Sequence, residues 1–383
     1  MSSVVKRLEG AGREALMRAL SLALGRRARG APDWGARPHR VLFARHDGIG
    51  DLIMSTGTIR AIATAFPTVR VDVLTTARNA AVVAGNPHVA SVLTFTHGRR
   101  GAYPLSTIVQ VRRRRYDAIV DGMIPRAVDG RRYHDRVKFN TAMLLLGSGA
   151  PARIGVGGRA HDDVYTIRVR PRDPGAHHVV VTASLAVPFG VDPATADLRP
   201  ELHLSAAERD GAEAAWQAAG GDATTPRLLV NVSAGNDRKR WAPQRFAETL
   251  TILRRRHPVP RVIVIGTPAD AEEVRAVARD AHAAPAVPGL REAFALVGAA
   301  TVLLSPDTSL PHAAAALGVP SVVLMRAENA AYTPYRARGH VLVRDTLDAL
   351  APSDVAEAVA RLLGSSARDA AAPVRDAQPR TTA

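Results

Sequence analysis

Cysteine is absent from all 383 residues. That excludes disulfides, thiolate nucleophiles and zinc sites built on thiolates. No apolar run approaches the roughly 18 residues that a membrane-spanning helix needs. Aromatic residues are only 4% of the chain, and they are not interleaved with its cations. Surfaces that bind single-stranded nucleic acid need such rings for stacking, so no nucleic-acid partner is expected. The chain also lacks a D-x-D pair, an H-E-x-x-H helix and a Walker lysine motif. Neither a resident metal nor a cofactor is indicated.

What is present is a large apolar fraction, 46%, and a formal charge of +16. The length suits two medium domains with flanking segments. The charge excess is almost all arginine. A GC-rich coding sequence would produce that bias with no function attached; the functional reading is an anionic membrane surface or a phosphorylated small molecule. Residues 4–25 read as a helix with Leu8, Ala15, Leu16, Ala19, Leu20 and Leu24 on one face. Lys6, Arg7, Arg13 and Arg18 surround that face. Glu9, Glu14 and Arg18 break up the apolar core that a signal peptide would need. The helix either packs on the protein or lies on anionic lipid.

From residue 39 the pattern alternates between strand and helix. Strands are expected at 41–45, 69–75, 89–95, 116–122 and 152–157, with helices at 52–66 and 177–187, the latter ended by Pro188. A second series follows: strands at 227–233, 261–266, 301–307, 321–325 and 340–344, with helices at 243–256, 270–283, 291–299, 308–317 and 353–363. This is the pattern of parallel sheets covered by helices on both faces. The expected organisation is a basic helix and loop (1–38), a first Rossmann-like domain (39–205), a linker (206–226), a second domain (227–364) and a disordered tail (365–383). Ligands of such sheets bind at the carboxyl ends of strands.

Three stretches at such ends carry chemistry. In "HDGIGD" (46–51), Gly48 and Gly50 begin a dinucleotide fingerprint, but Ile53 stands where its third glycine belongs. Asp51 would lie at a helix N-terminus, where the dipole favours an anion. A carboxylate fixed there can accept a proton from a hydroxyl nucleophile. It can also be a mere cap, and Asp47 is the alternative base. In "NVSAGNDRKRW" (231–241), small polar residues such as Ser233 lead to Lys239 and Arg240, which can neutralise a diphosphate; a solvated basic turn is the competing reading. In "SPDTSLPHA" (305–313), a strand ends at Asp307 and a helix begins. The amides of Thr308, Ser309 and Leu310 can bind phosphate oxygens, and His312 shares a face with Thr308. Asp307 can accept from sugar hydroxyls or simply cap the helix.

These stretches, in this order, resemble glycosyltransferase family 9, the lipopolysaccharide heptosyltransferases. The matching residues are Gly50-Asp51, Lys239-Arg240-Trp241 and "DTSLPHAAAALGVP" from Asp307, over roughly 40–345. The resemblance implies an α/β GT-B fold: two Rossmann-like doubly wound parallel-sheet domains facing across a cleft. It also implies an inverting, metal-independent transfer from a nucleotide-diphosphate-heptose, with ADP-heptose the expected donor. Asp51 matches the base and Lys239 the lysine on the donor phosphates. Asp307, Thr308 and His312 match donor contacts. "GTPAD" (266–270) matches the ribose-binding stretch, through Asp270 or Glu272. Ser309 departs from the family's usual glycine, and "RAENAAYTPY" replaces a common G-P-T turn.

The leading expectation is therefore sugar transfer to a hydroxyl of an anionic glycolipid or oligosaccharide acceptor on the first domain. Arg126 and Lys138 are candidate acceptor contacts, among the arginine clusters at 98–101, 112–115 and 131–136. The setting would be cytoplasmic, with inner-membrane contact through the N-terminal helix if that helix binds lipid. The alternatives are the same fold with another donor and acceptor, an NAD-dependent oxidoreductase using the 46–53 loop, and a non-catalytic nucleotide-sugar binding protein.

Overall fold

A computed structural model describes residues 32–98, 103–124, 127–128, 131–132, 137–158, 160–220, 225–256 and 260–366, with Gly12 and Ala19 in isolation. Apart from those two positions, the expected N-terminal helix lies outside the described residues. So do Arg126, Arg136 and residues 367–383 of the expected tail. Among the described residues, no helix is long and apolar enough to cross a membrane. The chain divides into two compact units, Met1–Leu198 and Arg199–Ala383.

The first unit has strands β1 (His39–Ala44), β2 (Val69–Thr76), β3 (Ser91–Phe95), β4 (Ala118–Asp121), a two-residue hairpin β5 (Ala127–Val128) and β6 (Arg131–Arg132), β7 (Ala152–Val156) and β8 (Ile167–Val169). Its helices are α1 (Ile49–Ala65), α2 (Ala80–Val83), α3 (Leu105–Arg113), α4 (Phe139–Ser148) and α5 (His178–Ala183). The sheet runs β3-β2-β1-β4-β7-β8, every pair parallel. β1 is central, and Val41, Leu42 and Phe43 are all fully buried. A central parallel strand is covered on both faces, so it reads as a continuous apolar run. The strand order turns outward from β1 to β2 on one side and β4 on the other. This is the switch point where such sheets bind ligands.

The second unit repeats the plan with β9 (Arg227–Asn231), β10 (Arg261–Ile265), β11 (Ala284–Ala286), β12 (Val302–Pro306), β13 (Ser321–Arg326) and β14 (Gly339–Arg344), in the order β11-β10-β9-β12-β13-β14. Helices α6 (Ala206–Ala218), α7 (Pro243–Arg256), α8 (Ala271–Asp280), α9 (Leu290–Gly298), α10 (Ser309–Leu317) and α11 (Pro352–Ser366) complete it. α6, expected as part of a linker, lies within this unit. Its Trp216 is fully buried and donates to the Leu296 carbonyl of α9.

Three local expectations are corrected. The 177–187 helix is α only to Ala183 and tightens into a 3-10 segment over Ser184–Phe189 with Pro188 inside it. The tighter turn tolerates a residue that lacks the N–H of an α-helical ladder. The 270–283 helix starts as a 3-10 turn at Pro268–Asp270 and is α over Ala271–Asp280. Asp307 does not cap its helix; Thr308 does, accepting from the Leu310 amide at 3.3 Å.

The capping box of α6 gives a pH prediction. Glu208 accepts from the Ser205 amide at 2.8 Å and from Arg291 of α9 at 2.6 and 2.7 Å. The Arg291 hydrogen bonds, more than those from Ser205, lower its pKa from 4.5 to about 2. A carboxyl lowered on folding stabilises the fold above its unfolded pKa, and that contribution fades as pH falls toward the folded value. The pair is partly exposed, so Glu208→Gln is expected to cost about 1 kcal/mol or less at neutral pH. In calorimetric melts, its Tm deficit should shrink as pH drops from about 4.5 toward 2.

Candidate active site

The first cluster forms where β1 runs into α1. Gly48 is the N-cap, with φ −141° and ψ 154°. Any residue can adopt that extended backbone, so the need for glycine is spatial. A Cβ there would lie 2.5 Å from Asp51 Oδ2. The Asp51 carboxylate folds back over the start of the helix, into the space beside Gly48.

Asp51 is in the first turn of α1 and only 5% exposed. Its carboxylate reaches Arg45, a fully buried side chain at the end of β1. Arg45 Nη2 is 3.2 Å from Asp51 Oδ1, and Arg45 Nε is 2.8 Å from Asp47 Oδ1. Nη2 also lies 3.0 Å from His178 Nε2 at the start of α5, and Nη1 donates to the Gly122 carbonyl. His178 Nε2 is 4.0 Å from Asp51 Oδ1. Gly122 is where two backbones meet: a Cβ there would be 2.9 Å from the Ala44 carbonyl oxygen and 2.8 Å from the Phe43 ring. Sequence reasoning missed Arg45 and His178. The available signal was a charged residue ending the apolar run "VLFAR".

Rings gather beside this loop despite their scarcity. His46 packs edge-on against Phe95, His97 and Tyr103, with centroids 5.0–5.2 Å apart. Burial, then the charges of His97, Arg45 and Lys138, lower its pKa to about 3, so the imidazole is neutral at physiological pH. Lys138 precedes α4 and is exposed. The arginine run 112–115 divides: Arg114 donates to Ser91 and Asp72 at 2.8 and 3.3 Å, while Arg112, Arg113 and Arg115 are exposed.

The second cluster lies at the carboxyl ends of β9, β10 and β12. Asn231 Nδ2 donates to Ser305 Oγ at 2.9 Å and reaches Thr308 Oγ1 at 3.4 Å, tying β9 to the loop after β12. Ser233 donates to the Asp270 carboxylate and accepts from the Thr267 amide at 2.8 Å. Thr267 Oγ1 and Arg240 Nη2 also reach Asp270, at 2.6 and 2.9 Å. Burial alone would raise the Asp270 pKa, but these three donors outweigh it and hold the carboxyl below its ordinary value. Both of its oxygens are engaged within the unit, so Asp270 braces the loops. Glu272, the other ribose candidate, is exposed in the first turn of α8. Gly266 permits the close approach: a Cβ there would be 2.8 Å from Ser233 Oγ.

Lys239 ends a 3-10 turn, and its Nζ is 2.6 Å from Asp307 Oδ2. Trp241, fully buried and edge-on to Phe246 at 4.8 Å, anchors the turn that presents the lysine. Of the three amides expected for phosphate, that of Leu310 is used by the Thr308 cap. Ser309 opens α10, and His312, 5% exposed, lies in its first turn. The structure thus groups Ser233 with Asp270, and Lys239 with Asp307. Among the described residues, no group of three His, Asp or Glu could hold a metal ion.

Two six-stranded, doubly wound parallel sheets, with these clusters at their strand ends, give the α/β architecture of the GT-B fold class. The sequence pattern of glycosyltransferase family 9 (heptosyltransferase) matches residues 136–352, more than half of the chain, and the chain belongs to that family. No curated protein sequence matches it. Among solved structures it is similar to a family 9 glycosyltransferase from Veillonella parvula, with a TM-score of 0.73 at 19% identity, covering 88% of this chain and 99% of that one. It is also similar to the E. coli ADP-heptose lps heptosyltransferase II, with a TM-score of 0.68 at 21% identity over 86% and 99%. E. coli heptosyltransferase WaaC with ADP gives a TM-score of 0.64 at 18% identity over 87% and 99%.

Proposed function

We propose that this glycosyltransferase moves a heptose, or a similar sugar, from a nucleotide-diphosphate donor to a hydroxyl of a cell-envelope glycolipid acceptor. The observation that carries the reading is the buried Asp51 carboxylate, held by Arg45 at the head of α1. Asp51 takes the acceptor's hydroxyl proton as that oxygen attacks the anomeric carbon. One C–O bond forms while the bond to the diphosphate breaks on the opposite face, inverting the configuration. The electron pair leaves with the diphosphate.

Lys239 offsets the charge that develops on the leaving group, helped by the Ser309 end of α10. Asp307 holds Lys239 in place before the donor arrives and can then accept from sugar hydroxyls. Thr308 and His312 flank the same helix start, and Asp270 or Glu272 receives the nucleotide ribose. The reading assigns phosphate neutralisation to these groups rather than to a metal. ADP-heptose is the first donor to try, since one E. coli WaaC structure is described with ADP-2-deoxy-2-fluoro heptose. Lys138 is retained as an acceptor contact. A cytoplasmic enzyme lying peripherally on the inner membrane fits this acceptor.

The test is a mass-spectrometric assay with ADP-, UDP- and GDP-linked sugars and envelope-derived acceptors. The expected products are glycosylated acceptor and nucleoside diphosphate in equal amounts. Binding of NAD with no sugar-nucleotide turnover would overturn the reading.

A further inference from the structure

We propose that Arg45 and His178 are positioning residues for Asp51, and that the charge balance of their cage selects Asp51 over Asp47 as the proton acceptor. This rests on the reading of Asp51's loop as the proton-accepting site. Arg45 is fully buried, and a buried cation persists only with partners that compensate for its lost hydration. Its planar fork donates through Nη1 to the Gly122 carbonyl and through Nη2 to His178, and it lies within ion-pair distance of Asp47 at Nε and of Asp51 at Nη2. The guanidinium orientation is therefore set by hydrogen bonds to two distant segments of chain, with both carboxylates against it.

Guanidinium nitrogens only donate. His178 Nε2, 3.0 Å from Arg45 Nη2, must then be the acceptor, so the imidazole is neutral with its proton on Nδ1. The groups around the cage are Arg45, Asp47 and His46 from the β1–α1 segment, Asp121 at the end of β4, His97 and Tyr103 between β3 and α3, His178 from α5, and Lys138 ahead of α4. Within the cage itself, one cation faces two carboxylates and a neutral imidazole, a net charge of about −1 at neutral pH. Taking one proton from the acceptor hydroxyl brings that charge to zero, and burial favours the neutral state. The two carboxylates are not equivalent. The Asp47 side chain is 23% exposed, and its contact with Arg45 is 2.8 Å; the Asp51 side chain is 5% exposed, and its contact is 3.2 Å. Water and the closer ion pair keep Asp47 ionised, so the proton goes to Asp51.

The test is steady-state kinetics over a pH series on His178→Phe, His178→Gln and Arg45→Lys, with Asp51→Asn alongside. His178→Phe removes the acceptor for Nη2 and should lower kcat by about 10²-fold with donor KM unchanged, because the base is misplaced rather than binding lost. His178→Gln offers an amide oxygen at a similar reach and should recover most of kcat. Arg45→Lys keeps a charge but loses the fork, and should move the acid limb of the kcat profile upward by about one pH unit.

Equal losses in both His178 variants, with the acid limb unmoved in every folded variant, would mean that the pair merely packs and would overturn the proposal. If Arg45→Lys does not fold, the two His178 variants decide. If Asp51→Asn turns over like wild type, the underlying base assignment fails instead, and the two failures are told apart by that variant alone.

Discussion

Asp51→Asn is expected to fold, to bind nucleotide-sugar as wild type does, and to lose on the order of 10²–10⁴-fold in kcat, the usual contribution of a positioned general base. The amide is nearly isosteric with the carboxylate, so the space under Gly48, where a Cβ would sit 2.5 Å from Oδ2, stays filled. Arg45 keeps Asp47 as a counter-ion at 2.8 Å, which protects the fold from an unpaired buried cation. Donor affinity should hold, because the proposed phosphate and sugar contacts, Lys239, Asp307 and Thr308, all belong to the second unit. Initial rates together with titration calorimetry separate the two effects. Asp47→Asn is the comparison, with a smaller loss expected because its carboxylate is the more solvated.

Lys239→Met is expected to lower kcat/KM for the donor by about 10²–10³-fold, the scale seen when one group opposing a developing negative charge is removed. The variant also strands Asp307, whose side chain is 8% exposed and whose Nζ partner at 2.6 Å is gone. An anion left there repels the donor phosphates, so KM should rise as kcat falls. Lys239→Arg should recover only part of the loss. Apart from Lys6 and Lys138, every other basic Lys or Arg position in the chain is arginine. The lysine at 239 is a compact point charge on a flexible stem, which a rigid planar fork does not replace. Donor titrations of all three proteins under one salt condition check this.

Much of the fold is legible in the sequence because buried parallel strands carry a simple signal. "VLFAR", "RLLVNVS" and "RVIVIG" are apolar runs too short for helices, each followed by glycine, polar residues or a helical stretch. β1, β9 and β10 lie within or close to those spans. The short edge strands are not legible. β8 and β11 have three residues each, and β11 carries Pro285. Such strands depend on the neighbour they pair with rather than on their own pattern.

At the candidate site, local motifs flag Asp51, Lys239, Asp307 and His312, because glycine turns and helix starts leave marks in sequence. The groups that hold them in place leave none. Arg45 and His178 are 133 residues apart, and one arginine among many draws no notice until its burial is seen. The same holds for Asp270. Its acidic side chain beside "GTP" suggests a ribose contact, whereas Ser233, Thr267 and Arg240, drawn from two loops, engage both of its oxygens.

The most direct test of the central claim is product formation by wild type and Asp51→Asn in the same mass-spectrometric assay, with ADP-heptose, an envelope glycolipid acceptor and donor binding measured on both. The account predicts glycosylated acceptor with released ADP from wild type, and equal donor binding with almost no product from the variant. Product formation by Asp51→Asn at the wild-type rate would contradict it.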